Sequence, residues 1–168
     1  AVTALQLAAA YNVIANDGVY VAPRLVAATD KGTGRVDAEP SGRRRVVSEH
    51  TAQALRLMLR QVVSDGTGKK AAVPGYDAAG KTGTARIPQY GADAKDGYKD
   101  ANGRYHYQST FVGFVDGADL SIVVTVADAK SSIYGGDVGA PVFSKLASLA
   151  LRRFRIPPPA LSGSSRVD

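Results

Sequence analysis

A chain of 168 residues, 45% of them apolar, has the material for one domain with a buried core and lacks the composition of a disordered segment. Without cysteine it can form no disulfide, thiolate metal site or cysteine nucleophile, which is compatible with either redox compartment. A net charge of +6 fits an anionic partner but does not choose among nucleic acid, a membrane surface and a cell-wall polymer.

Thr3 is a fair N-cap for a helix through Leu5, Ala8, Ala9 and Ile14, which Asn16-Asp17-Gly18 ends. The chain enters this pattern at once, with no initiator Met and no signal peptide, so a piece of a longer protein is expected. Residues 19–26 read as a strand, and Pro23 places it at an edge or bulge. A turn at 30–34 leads into a polar loop in which Arg43, Arg44 and Arg45 are expected as a solvated cluster. Ser48 then caps the best-defined helix, with Glu49 in its first turn and Ala52, Leu55, Leu59 and Val62 along one face. Met58 and Val63 are expected to widen that face, Met58 as core filler.

Asp65-Gly66-Thr67-Gly68 stops the helix, and a strand is expected over 76–87, ended by Pro88. A polar excursion fills 90–104. Two further strands, 107–115 and 120–129, flank the turn Asp116-Gly-Ala-Asp119. The longest apolar run, near 122–127, is far too short to span a bilayer. Residues 131–139 read as a loop with two adjacent glycines, and Pro141 suits the first turn of a last helix over 142–154. Arg152, Arg153 and Arg155 suit that helix's negative end, three prolines stop it, and 159–168 are expected as a flexible tail. There are no internal repeats.

Chemistry concentrates in Gly75-Tyr-Asp-Ala-Ala-Gly-Lys-Thr-Gly-Thr-Ala-Arg86. Lys81, Thr82, Gly83 and Thr84 offer a cation, two hydroxyls and bare backbone N–H groups to an anionic or carbonyl-bearing ligand. Gly75 to Thr82 also satisfies the P-loop pattern. A P-loop, however, follows a buried strand and opens a helix at its Lys-Thr, whereas here a helix precedes and Pro88 closes a strand. Nothing helical lies between 82 and 120 to serve as a βαβ crossover. Three antiparallel strands in succession fit instead. Alternation then puts Lys81 and Gly83 on one face and Thr82 and Thr84 on the other, so both sets serve one ligand only along a free strand edge. Gly83 fits a close approach by a ligand backbone, and a bland surface strand with a salt-bridged lysine remains the alternative on these four residues alone.

The chain as a whole resembles the class B penicillin-binding proteins. The run Val2-Thr-Ala-Leu-Gln-Leu-Ala-Ala-Ala-Tyr-Asn-Val-Ile-Ala-Asn-Asp-Gly18 is similar to the helix that precedes their Lys-Thr-Gly strand. Gly66-Thr-Gly68, Pro74-Gly75-Tyr76 and Ala79-Gly-Lys-Thr-Gly-Thr-Ala85 repeat the approach to that strand. Phe111-Val-Gly-Phe-Val115 resembles the next strand and Pro157-Pro158 the stop after the last helix, whereas 86–105 show little of the family pattern. The resemblance covers residues 2 to about 158 in order.

The resemblance implies an α+β fold, part of the β-lactamase/transpeptidase architecture, with helices packed on an antiparallel sheet whose first strand and helical lobe lie upstream. Residues 1–158 would be the C-terminal portion of the transpeptidase domain. It implies a serine D,D-transpeptidase that cross-links peptidoglycan stem peptides ending in D-Ala-D-Ala and is acylated by β-lactams, or else a penicillin-recognising sensor or inactive homologue. Lys81 and Thr84 would be catalytic, Lys81 placing protons and charge beside the serine and the Thr84 N–H forming half of an oxyanion hole. Thr82, Gly83 and Thr84 would bind substrate, the two hydroxyls holding its carboxylate. Likeness around 46–75 points to a septal role with divisome membrane proteins as partners, on the extracytoplasmic face of the membrane, anchored by a segment outside this chain. The upstream half of the domain is the other expected partner; no nucleic acid and no cofactor are expected.

Neither Ser-x-x-Lys nor Ser-x-Asn, the family's other two motifs, occurs in the chain. Ser109 and Ser144 have the wrong spacing and read as packing or surface hydroxyls. His50 and His106 read as surface residues without ligand-spaced partners. Asp96, Asp100 and Asn102-Gly103 hint at a calcium loop that Tyr98 and the missing final Glu spoil, so no metal is assigned.

Overall fold

The computed structural model describes residues 2–30, 32–39, 41–90 and 97–159; the expected tail from 160 and Asp96 lie outside them. Helix α1 (Ala4–Ala15) opens on a reciprocal cap, the Gln6 N–H donating to Thr3 Oγ1 at 3.2 Å and the Thr3 N–H to Gln6 Oε1 at 2.8 Å. Asn16 closes it as expected. Strand β1 (Val19–Val21) is much shorter than the expected 19–26, because Pro23 has no N–H to continue the ladder. Next comes a small hairpin of β2 (Ala28–Asp30) and β3 (Arg35–Asp37).

The arginine cluster is no loop. It forms β4 (Arg43–Arg45), paired antiparallel with β1, though its side chains are exposed as expected. Arg45 donates to the Asp17 and Val47 carbonyls at 2.9 and 3.2 Å, and Arg44 lies over the Tyr20 ring at 5.2 Å. Helix α2 (Glu49–Ser64) starts where expected, with the Thr51 N–H on Ser48 Oγ at 3.1 Å. Ala52 and Val63 are buried, but Met58 is 61% exposed and is no core filler. At about 100° per residue Met58 sits roughly 120° around from Ala52, outside the stripe that Leu59 and Val63 continue.

The sheet that carries the Lys-Thr-Gly segment has three antiparallel strands in the order β5 (Ala78–Arg86), β6 (Tyr107–Val115), β7 (Leu120–Ala127). Lys81 sits opposite Val112, Thr82 opposite Phe111 and Gly83 opposite Thr110. β5 begins two residues later than expected, and β7 ends at Ala127 because Asp128 turns to φ 49°. Gly80 is needed for packing: a Cβ there would lie 2.6 Å from the Val112 carbonyl and 2.7 Å from the Phe111 ring. That ring is wholly buried against Phe143, centroids 4.9 Å apart, and with Val115, Ala147 and Leu151 it centres the core. Phe143 comes from α4 (Ala140–Arg153), whose first turn holds Pro141 as expected. The expected loop before it instead contains one helical turn, α3 (Gly135–Val138).

Charge pins α2 to its neighbours. Arg56 donates to Asp17 at 2.7 Å and to the Ala15 carbonyl at 2.9 Å, at the negative end of α1, and stands 3.5 Å from Asp116. Arg60 pairs with Asp77, at the entry to β5, and with Asp116 at 3.5 Å. The Arg56 and Asp116 side chains are only 20% and 21% exposed, so removing the guanidinium would leave Asp116 poorly solvated and without this charge partner on α2. Arg56→Leu in the complete protein is therefore expected to lower stability by about 2 kcal/mol. Urea unfolding checks this, and an unchanged midpoint would show the network to be idle.

Candidate active site

β5 pairs only with β6 among the described residues, so its other edge is free to receive a ligand. Alternation is as expected. Thr82 and Thr84 line one cleft of about 300 Å³ with Thr67, Lys69, Lys70, Tyr134, Gly135, Gly136 and Asp137. A hollow of about 240 Å³ on the other side, walled by Leu7, Tyr11, Gln108 and Thr110, takes in the whole edge from Lys81 to Ala85. A larger hollow of about 550 Å³ lies between α2 and the start of β5. Two of its three ionic groups, Arg60 and Asp77, are spent on each other and the third is Asp65, so the smaller cleft, where hydroxyls converge, is the candidate site.

Lys81 Nζ donates to the Thr82 carbonyl at 3.1 Å and to Thr82 Oγ1 at 3.3 Å. Its side chain is exposed in this chain. Thr82 Oγ1 also lies 2.8 Å from Thr67 Oγ1, so a cation and a second hydroxyl converge on one oxygen. Gly83 is not demanded by the protein: a Cβ would meet only Thr110 Cβ, at an ordinary 3.6 Å. A Cβ at Gly135 would instead lie 1.9 Å from the Thr110 carbonyl and 2.8 Å from that of Gly83, and one at Gly136 would lie 2.4 Å from that of Thr67. The two adjacent glycines thus let α3 start flush against the Lys-Thr-Gly strand.

The cleft's far rim is ionic, with Lys70 Nζ on Asp137 Oδ1 at 2.7 Å. That bond, and then one from Ser132, holds the Asp137 carboxyl below its ordinary pKa, so it is a carboxylate at neutral pH. Nothing in the sequence alone marks Thr67, Lys70, Tyr134 or Asp137 as site residues by a local chemical motif. The family-like run Gly66-Thr-Gly68 points toward one of them, Thr67.

Ser109 and Ser144 are packing hydroxyls as expected, donating to the Ile133 carbonyl at 2.7 Å and the Ala72 carbonyl at 2.6 Å. His50 is exposed, as expected. His106 is not a plain surface residue. Its Nδ1 is bonded to Asp128 and its Nε2 lies 3.3 Å from Asp100, which raises its pKa, the Asp128 bond contributing most. Asp100 also accepts the Asn102 and Arg104 N–H groups at 2.9 Å, so it shapes a turn and braces a histidine. The P-loop pattern has no structural counterpart, since Lys81-Thr82 lies inside a strand and not at a helix start.

An edge strand presenting Lys-Thr-Gly-Thr over hydroxyls, on a sheet backed by helices, is the arrangement of a penicillin-recognising domain. The family model described as penicillin binding protein transpeptidase domain matches residues 1–148, and the chain belongs to that family. It is 40% identical over 168 residues to penicillin-binding protein PbpB of Mycolicibacterium smegmatis, covering 92% of this chain and 25% of that protein. It is 35% identical to stage V sporulation protein D of Bacillus subtilis, covering 94% and 24%. The crystal structure of penicillin binding protein 3 from Mycobacterium tuberculosis superposes with a TM-score of 0.71 at 33% identity, over 94% of this chain and 36% of that one. The expected α+β transpeptidase fold is thereby borne out. The chain spans about a quarter of the length of these curated relatives, 25% and 24%.

Proposed function

We propose that residues 1–158 are the C-terminal portion of a serine D,D-transpeptidase domain that cross-links peptidoglycan. The observation that carries this is the free β5 edge, where Thr82 and Thr84 face one cleft beside Lys81, in a member of this family. The nucleophilic serine and the middle motif come from residues preceding this chain. The serine oxygen attacks the carbonyl of the penultimate D-Ala, and the tetrahedral adduct collapses with loss of the terminal D-Ala. The amine of a neighbouring stem peptide then takes the acyl group and frees the serine. Thr82 and Thr84 hydroxyls donate to the terminal carboxylate, which the cation at Lys81 also favours. The Thr84 N–H is half of the oxyanion hole, a contribution of about 3 kcal/mol per donor. Gly83 leaves room for the substrate backbone along the strand.

The site of action we assign is the extracytoplasmic face of the membrane, in septal wall synthesis with divisome membrane proteins. The anchor would lie outside the described residues, among which no helix is long and apolar enough to cross a membrane. The net charge of +6 suits an anionic wall polymer. The test is labelling of the complete protein by fluorescent penicillin, followed by assay of cross-linked product from D-Ala-D-Ala stem peptides. Labelling with cross-linking is the expected result. Labelling without it would favour a penicillin sensor, and no labelling would overturn the assignment.

A further inference from the structure

Asp137 ties three segments together at the wall facing Thr82 and Thr84. Its Oδ1 accepts from Lys70, on the short 3-10 turn (Lys69–Ala71) that leads toward β5. Its Oδ2 accepts from Ser132 Oγ at 2.9 Å, and that hydroxyl oxygen in turn accepts the Tyr134 N–H at 3.2 Å. Between these bonds Tyr134, Gly135 and Gly136 run along the strand. A Cβ on Gly136 would stand 3.4 Å from Thr82 Cγ2, besides colliding with the Thr67 carbonyl. Gly135 lies so near the strand backbone that a Cβ on it would stand 2.8 Å from the Gly83 carbonyl, so wall and strand pack directly and a shift of one displaces the other.

We infer that the Lys70–Asp137 pair is a positioning strap that holds residues 134–136 against the Thr82–Thr84 edge and so sets the width of the cleft for the carboxylate end of substrate or drug. The inference rests on the transpeptidase reading. Both partners line the cleft, and they neutralise each other along its far rim. Lys69, in the same lining, forms no ion pair among the described residues, so a free cation remains for an incoming anion. A different role for Lys70, as a direct attractor of the carboxylate, forecasts the opposite sign at its partner. Removing the Asp137 charge would then release Lys70 and strengthen binding, whereas a strap loses by the removal of either end.

The experiment is acylation of the complete protein by fluorescent penicillin over a range of concentrations, separating initial binding from the limiting rate. Lys70→Met and Asp137→Asn are each expected to lower the second-order constant about fivefold, through binding, with the limiting rate unchanged. The reversed pair, Lys70→Asp with Asp137→Lys, is expected to return to within about twofold of wild type. Wild-type constants in both single variants, opposite signs in the two, or a reversed pair as poor as the singles would overturn the strap. If the wild-type protein takes up no penicillin, the transpeptidase reading falls, and amide hydrogen exchange at residues 134–136 decides the strap. Faster exchange in both single variants supports it and unchanged exchange removes it.

Discussion

Lys81→Ala in the complete protein is expected to reduce acylation by fluorescent penicillin by about a thousandfold, the scale of a lost proton-transfer and charge-placing group. Two features make the loss specific. Lys81 Nζ is bonded to the Thr82 carbonyl and hydroxyl, so its removal takes away the only side-chain cation on the edge between Gly80 and Thr84. Its side chain is exposed and forms no ion pair among the described residues, so little folding energy depends on it. The variant should therefore unfold within about 0.5 kcal/mol of wild type. Lys81→Arg separates charge from chemistry, because guanidinium keeps the charge but does not give up a proton near neutral pH. It should retain carboxylate binding and fail in acylation. Near wild-type labelling of Lys81→Ala would refute the role given to this lysine.

What the sequence disclosed about this site was whatever is written locally. Thr3 and Ser48 announce their helices through side-chain caps, and 107–115 comes out to the residue because polar turns bound an apolar run. Lys81 to Thr84 were legible because a motif is contiguous and the edge follows from strand alternation. The opposite wall was not. Gly135 and Gly136 read as loop on intrinsic propensity, yet they begin a helical turn because only glycine fits against the Thr110, Gly83 and Thr67 carbonyls. Thr67 reaches Thr82 across 15 residues and Lys70 reaches Asp137 across 67, distances at which no periodicity signals contact. His106 meets Asp128 because of the β6–β7 register, which the strands' own sequences leave open. Met58 differs for another reason: it lies beside an apolar stripe in the sequence and reads as part of it, but helical geometry turns it to solvent.

Expressed without the upstream half of the domain proposed above, this chain is expected to aggregate and to take up no labelled penicillin. β7 (Leu120–Ala127) pairs with β6 on one side, and among the described residues no strand covers the other. Ile122, Val123, Val124, Thr125 and Val126 make that edge β-branched throughout, the composition most prone to pair with another chain. Apolar side chains also stand open on three helices: Leu5 on α1, Leu57 and Met58 on α2, Leu146 and Leu149 on α4. The resemblance to class B penicillin-binding proteins implies a strand and a helical lobe upstream that would cover such surface and bring the nucleophile to Lys81. Co-expression with that upstream half should give a soluble complex and restore labelling, with the label on the upstream partner. The Lys81→Ala form of this chain, co-expressed in the same way, should give the soluble complex without the label, which separates cover of the apolar surface from chemistry. A soluble, monomeric 168-residue protein that unfolds cooperatively on its own would sink the idea.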